Sequence, residues 1–132
     1  MSYGSAAALQ AAVYARLADD PGLAGVPVLD AVPGGQAPET YVLIGPEEVR
    51  DASDSTGPGA DHRLAVSVVS RAAGFAVAKA IAVAVSDALS GATLALARGR
   101  LVGLWFLTAQ ARKLDNGAVR RVDLVFRARV ET

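Results

Sequence analysis

The chain has 132 residues, enough for one domain in which a sheet and a few helices bury on the order of two-thirds of the unfolded chain's surface. Apolar residues make up 52 % but aromatics only 5 %, so the core must be built from small and β-branched side chains. A net charge of zero argues against a free-standing nucleic-acid binder, and the lack of cysteine excludes a disulfide framework, a thiolate nucleophile and a Cys-ligated metal.

The opening residues, Met1 to Gln10, carry no basic n-region. No signal peptide is expected, and a soluble protein made in a cytoplasm is. Ser5 stands as an N-cap before Leu9, Ala12, Val13 and Leu17, which repeat along one face of an amphipathic helix. Asp19-Asp20-Pro21-Gly22 ends that helix. Val26 to Val32 is β-prone but flanked by Pro27 and Pro33, which suits an edge strand or an extended connector. Gly34 to Pro38 reads as a turn.

Tyr41 to Ile44 is a continuous apolar run stopped by Gly45-Pro46, the pattern of a buried strand. Leu64, Val66 and Val68 alternate with Arg63, Ala65 and Ser67, the pattern of a strand with one covered face. Pro46 to His62 lies between them and reads as a 17-residue acidic loop. Loops longer than about 12–15 residues inside a compact domain are usually functional or disordered. This is therefore the expected projection of the scaffold.

A helix is expected from Phe75 to about Leu89, with Gly91 as its stop. Phe75, Ala78, Ala82, Val85 and Leu89 form one apolar stripe, and Ile81, Ala84 and Ala88 widen it. A helix so nearly apolar all round should be covered on more than one side. A sheet plus the other helix, or a sheet plus a neighbouring subunit, would do this. Its apolar run Ala76 to Val85 contains Lys79 and is far short of the roughly 20 residues a membrane helix needs.

Thr93 to Ala97 reads as a short strand and Leu101 to Arg112 as a longer one. Trp105 and Phe106 are adjacent in that strand and so face opposite sides. One can fill the core. The other needs a cover, from a partner or from the same chain. Asn116-Gly117 signals a hairpin. In the last strand Val122, Leu124, Phe126, Ala128 and Val130 point one way; Arg121, Asp123, Val125, Arg127 and Arg129 point the other. The expected fold is α+β, a mainly antiparallel sheet of four to five strands with two helices packed on one face, in a single domain over residues 1–132.

Catalytic patterns are sparse. His62 is the only histidine and is close in sequence to Asp51, Asp54 and Asp61. A general base or a carboxylate–histidine metal site there would need a nucleophile or further ligands at fixed spacing, and no such pattern exists. A loop histidine is more often a surface residue. Asp51-Ala-Ser-Asp-Ser lacks the glycine and glutamate of a calcium loop. Gly57-Pro-Gly lacks the Lys-Ser/Thr of a phosphate loop, and there is no Gly-x-Ser-x-Gly elbow. No cofactor or metal is expected.

Charge is segregated instead. From Glu39 to Asp61 there are six acids and one base, Arg50; from Arg98 to Glu131 there are eight bases and three acids. Arg112, Arg121, Arg127 and Arg129 form a basic strip that suits DNA phosphates or an acidic partner surface, or is a solvated, edge-protecting face. Glu47, Glu48, Asp51, Asp54 and Asp61 are the acidic counterpart. Such a chain can pair head-to-tail with its own copies, and head-to-tail contacts that close make rings. Those nine residues are the expected subunit or partner interface, with the 46–62 segment reaching across to a neighbour.

The order of these motifs resembles the tail-terminator, or tail-completion, family of long-tailed phages. The resemblance is carried by Tyr-Val-Leu-Ile-Gly at 41–45, Asp-His at 61–62, Leu-Ala-Val-Ser-Val-Val-Ser-Arg at 64–71 with Gly74, the helix with Ile81 and Leu89-Ser-Gly, and Val-Asp-Leu-Val-Phe-Arg-Ala-Arg-Val-Glu at 122–131. Val69 departs, since the family often has Trp there. The composition also suits a phage-derived gene transfer agent of a GC-rich bacterium. The resemblance implies a virion subunit, assembled in the bacterial cytoplasm, that forms a hexameric ring on the head-proximal end of the tail tube. It implies that the ring stops tube growth, meets a head-side connector or stopper protein, and lets DNA pass without sequence specificity. No active site comes with it. The alternatives are a neck, connector or tail-tube subunit, and a small cytoplasmic enzyme or ligand-binding domain built on His62.

Overall fold

The computed structural model describes residues 3–55 and 57–131. Met1, Ser2, Thr56 and Thr132 lie outside the described residues, so the part of the expected loop at Thr56 is not described. Helix α1 spans Ala6–Ala18 and helix α2 spans Ala76–Leu89. The strands are β1 (Val28–Leu29), β2 (Thr40–Asp51), β3 (Gly59–Ser70), β4 (Arg100–Leu114) and β5 (Val119–Glu131). They form one sheet in the order β1-β2-β3-β5-β4. Only the β1–β2 pairing is parallel. The expected α+β fold, with five strands and both helices on one face, is the one observed.

Apolar periodicity decides which faces meet. Leu9, Val13 and Leu17 of α1 and Ala78, Val85 and Leu89 of α2 are buried against Val42, Leu64, Val66, Val68, Leu124, Phe126 and Val130 of the sheet. The small residues expected of this core appear on α2, where Ala78, Ala82 and Ala88 bring the helix close to its neighbours. Ser5 sits at the start of α1 but its hydroxyl makes no capping hydrogen bond. Arg16 of α1 donates from Nε to the Ala88 carbonyl at 3.0 Å, joining the two helices. The sheet and α1 thus cover α2 on two sides as expected, while Val77 and Val83 stay exposed. A second, smaller cluster of Tyr41, Leu43, Val69 and Val119 lies on the opposite face of the sheet.

Three expectations are corrected. Pro46 to His62 is not a loop, because β2 runs on to Asp51 and β3 begins at Gly59, leaving only a short tip. Between Ile44 and Glu47 the pairing slips, with Gly45 and Pro46 opposite one residue of β3. This bulge absorbs the proline and lets pairing resume with side chains re-aimed. Thr93 to Ala97 forms no strand; the segment packs Leu94 and Leu96 against the core without a ladder partner. Trp105 and Phe106 do face opposite sides, but each is 44 % exposed, so neither is fully covered within the chain.

The expected hairpin between β4 and β5 is present. Asp115 and Asn116 take φ of 52° and 55°, a conformation that Asn and Asp tolerate better than most residues.

Candidate interaction surface

The face of the sheet away from the helices gathers most of the charged residues singled out by the sequence. Cross-strand register sets their neighbours. At one level Glu48, Arg63, Arg127 and Trp105 stand side by side across β2, β3, β5 and β4; at the next stand Arg50, Asp61, Arg129 and Gly103. Alternation along β5 puts Arg121, Asp123, Arg127 and Arg129 on this face because their odd-numbered places oppose the buried Val122, Leu124, Phe126, Ala128 and Val130.

Two ionic clusters result. In the first, Arg127 Nη2 donates to both carboxylate oxygens of Asp61, at 3.1 and 3.2 Å. Arg129 stands 3.9 Å from Asp61 and 3.7 Å from Asp54 at the hairpin tip. The Arg127 guanidinium also lies 5.2 Å from the centre of the Trp105 ring, within cation–π range. A Cβ on Gly103 would run into that ring, so the glycine lets Trp105 lie flat along the strand.

In the second cluster, Asp123 accepts from Arg121 Nε at 2.7 Å, from Ser67 Oγ at 2.6 Å and from Arg112 Nε at 3.2 Å. Burial opposes its charge, but hydrogen bonds from Arg121 and Ser67 and the positive charge of Arg121 and Arg112 outweigh that and hold the carboxyl below its ordinary 3.8. A carboxylate whose folded pKa is depressed stabilises above its unfolded pKa and loses that contribution as pH falls through the folded value. Asp123→Asn is therefore expected to cost about 1–2 kcal/mol at pH 7. In urea melts its difference from the wild type should shrink steadily below about pH 4, and a pH-independent difference would contradict this account.

The predicted interface residues thus divide. Asp54, Asp61, Arg112, Arg121, Arg127 and Arg129 come together on this face, and the partners of the arginines are acids of the same chain. Glu48 pairs with Arg50 at 2.6 Å, both side chains more than half exposed, an arrangement of small energetic weight. Asp51 accepts from Ser53 Oγ at 2.8 Å near the tip. Glu47 is not on this face at all. The bulge before it turns its side chain to the helix side, where its Oε2 lies 3.3 Å from Nδ1 of His62.

His62 is fully buried, not a surface residue, and its Nε2 has no partner among the described residues. A substrate could not reach this imidazole, which disfavours the enzyme reading. Among the described residues no group of three or more His, Asp or Glu side chains stands together as a metal site. Sequence reasoning missed Asp123 as the hub of the second cluster and Trp105 as the cover of Arg127. Both were legible from alternation once the register of β4 on β5 was known.

Comparisons with known proteins agree with the resemblance seen in the sequence. Residues 11–131 match the family described as Tail completion protein gp17. Among solved structures, a chain in the virion of a native gene transfer agent (GTA) particle is 60% identical, with a TM-score of 0.92 and an alignment covering 99% of this chain and 100% of that chain. No curated protein matches.

Proposed function

The chain belongs to the Tail completion protein gp17 family, and on that premise we propose that it caps the head-proximal end of a phage-like tail tube as a ring, six copies in number. Tail completion is a structural task in a virion, not an enzymatic one. The ring ends tube growth, offers its other face to the head-side connector, and leaves a channel for DNA. The observation that carries the reading is the whole-length likeness to a chain of a gene transfer agent virion.

The geometry supports it in physical terms. Acting as one domain, the subunit has a stiff five-stranded sheet whose outer face holds a lattice of Asp and Arg side chains. The proposed contacts use Arg112, Arg121, Arg127, Arg129, Asp54 and Asp61 on that face, with Glu47, Glu48 and Asp51 along β2. The internal ion pairs restrict these arginines before docking, which lowers the side-chain entropy lost on contact. A weak contact repeated around a ring gains avidity, which lets modest interfaces hold a closed assembly. One ring face fits the last tube ring and the other does not repeat it, so growth stops.

Quantitative mass spectrometry and immunogold labelling of purified particles test this. The expected result is about six copies per particle, all at the head–tail junction. Copies spread along the tail in numbers that scale with its length would instead make the chain a tube subunit.

A further inference from the structure

The two edges of the sheet differ in cover and in charge. Strand β4 forms one edge, and its outer side is closed only near Leu104, whose carbonyl accepts from Gly91 N–H at 2.9 Å. From Trp105 to Lys113 every residue is exposed, and among the described residues no strand pairs with that side. Of the nine exposed large hydrophobic residues among those described, four, Val102, Trp105, Phe106 and Leu107, lie in this one stretch of strand. Register slips at Val102 and at Leu107 set both as extra residues on the edge. Bulges usually protect an edge, but here both display apolar side chains. β4 also carries Arg100, Arg112 and Lys113 and no acid.

The opposite edge is its complement. β1 pairs with β2 only at Val42 and Leu43, so most of β2 has no neighbour on that side among the described residues. Between Val26 and Asp51 there are five acids and one base.

We infer that the open β4 edge of one copy receives the β1–β2 edge of the next. This assignment rests on the ring reading above and names the surfaces that make the ring. β4 runs opposite to β2, since each step from β2 to β3 to β5 to β4 is antiparallel. Copies that share one orientation therefore meet through an antiparallel edge, the geometry that continues the sheet. The contact joins two different surfaces, so it propagates and can close. The competing arrangement, β4 against β4 in a two-fold dimer, sets three bases against three. Arg100 and Arg112 are ion-paired to Glu131 and Asp123 of β5, but neither β4 strand carries an acid to face the other's bases, and like charges facing across a strand pair destabilise it.

The absence of cysteine makes the test direct. Leu107→Cys marks the β4 edge and Val32→Cys, 72 % exposed just past β1, marks the other. Both sites are exposed, so neither substitution removes core packing. Particles carrying the double variant are treated with a short bis-maleimide. The expected result is a ladder of covalent oligomers rising to the ring size, with each single variant staying monomeric. Dimers from Leu107→Cys alone would overturn the assignment in favour of β4 self-pairing. A copy number per particle equal to the ring size, counted by quantitative mass spectrometry, while the double variant yields no ladder would overturn the assignment and leave the ring standing. A copy number below that of any closed ring would overturn the ring, and this contact with it.

Discussion

Phe126→Ala is expected to lower the free energy of unfolding by about 3–5 kcal/mol, the largest loss from any single truncation in this core. Phe126 is the largest fully buried side chain and sits on the central helix-facing row of β5. It lies between Leu64 of β3 and Phe106 of β4, and meets the Phe106 ring edge-on with centroids 6.0 Å apart. The surrounding residues are held by three strands, so the space left by the ring cannot collapse fully. Domains of this size are stable by about 5–15 kcal/mol in total, so the variant should be folded only marginally. Denaturation in urea, followed by the single tryptophan, measures it. Phe106→Ala removes a ring of the same size that is nearly half exposed, and its cost should be well under half as great. Equal losses at the two sites would contradict this packing account.

The second large effect concerns His62 and Glu47. Glu47→Ala removes the one hydrogen-bond partner, among the described residues, of a fully buried imidazole. An orphaned buried polar group costs about 1–3 kcal/mol. His62→Leu, by contrast, replaces the imidazole with an apolar side chain of similar volume. Glu47, with 19 % of its side chain exposed, can still reach water. That variant should lie within about 1 kcal/mol of the wild type. The double variant should resemble His62→Leu alone, giving a coupling between the two sites that a double-mutant cycle reads directly. Additive losses would show that the pair does not interact. Particle yield and infectivity or transfer should be normal with His62→Leu, since the histidine has a packing role. A loss of function without a loss of stability would revive the reading in which His62 does chemistry.

Much of the fold was legible because its periodicities are strong. The alternation from Val122 to Val130 identified both faces of β5, and the helical stripes through Leu9, Val13 and Leu17 and through Ala78, Val85 and Leu89 identified the sides that meet the sheet. The outer half of the β2–β3 hairpin was not legible. Its residues are acidic, and Gly45-Pro46 and Gly57-Pro58-Gly59 are local stop signals. What keeps it in strand form is non-local, namely pairing with β5 and the ion pairs from Asp61 to Arg127 and from Asp54 to Arg129. The same segment shows why the interface residues were only partly placed. A two-against-one bulge before Glu47 inverts the sidedness of every following residue of β2. Composition does not record such a slip, so Glu47 and His62 could not be seen to meet inside the fold. Charge segregation along the chain was real, but much of it is matched within one subunit. The contrast between subunit edges, with β4 basic and the β1–β2 edge acidic, emerged only from the strand order.

The central claim is that this chain ends tail growth and joins tail to head. Deleting its gene and measuring tail lengths by electron microscopy tests that most directly. The account predicts overlong or headless tubes of varied length, restored to one length by the wild-type chain supplied in trans. Tails of normal, uniform length attached to filled heads in the deletion strain would contradict it.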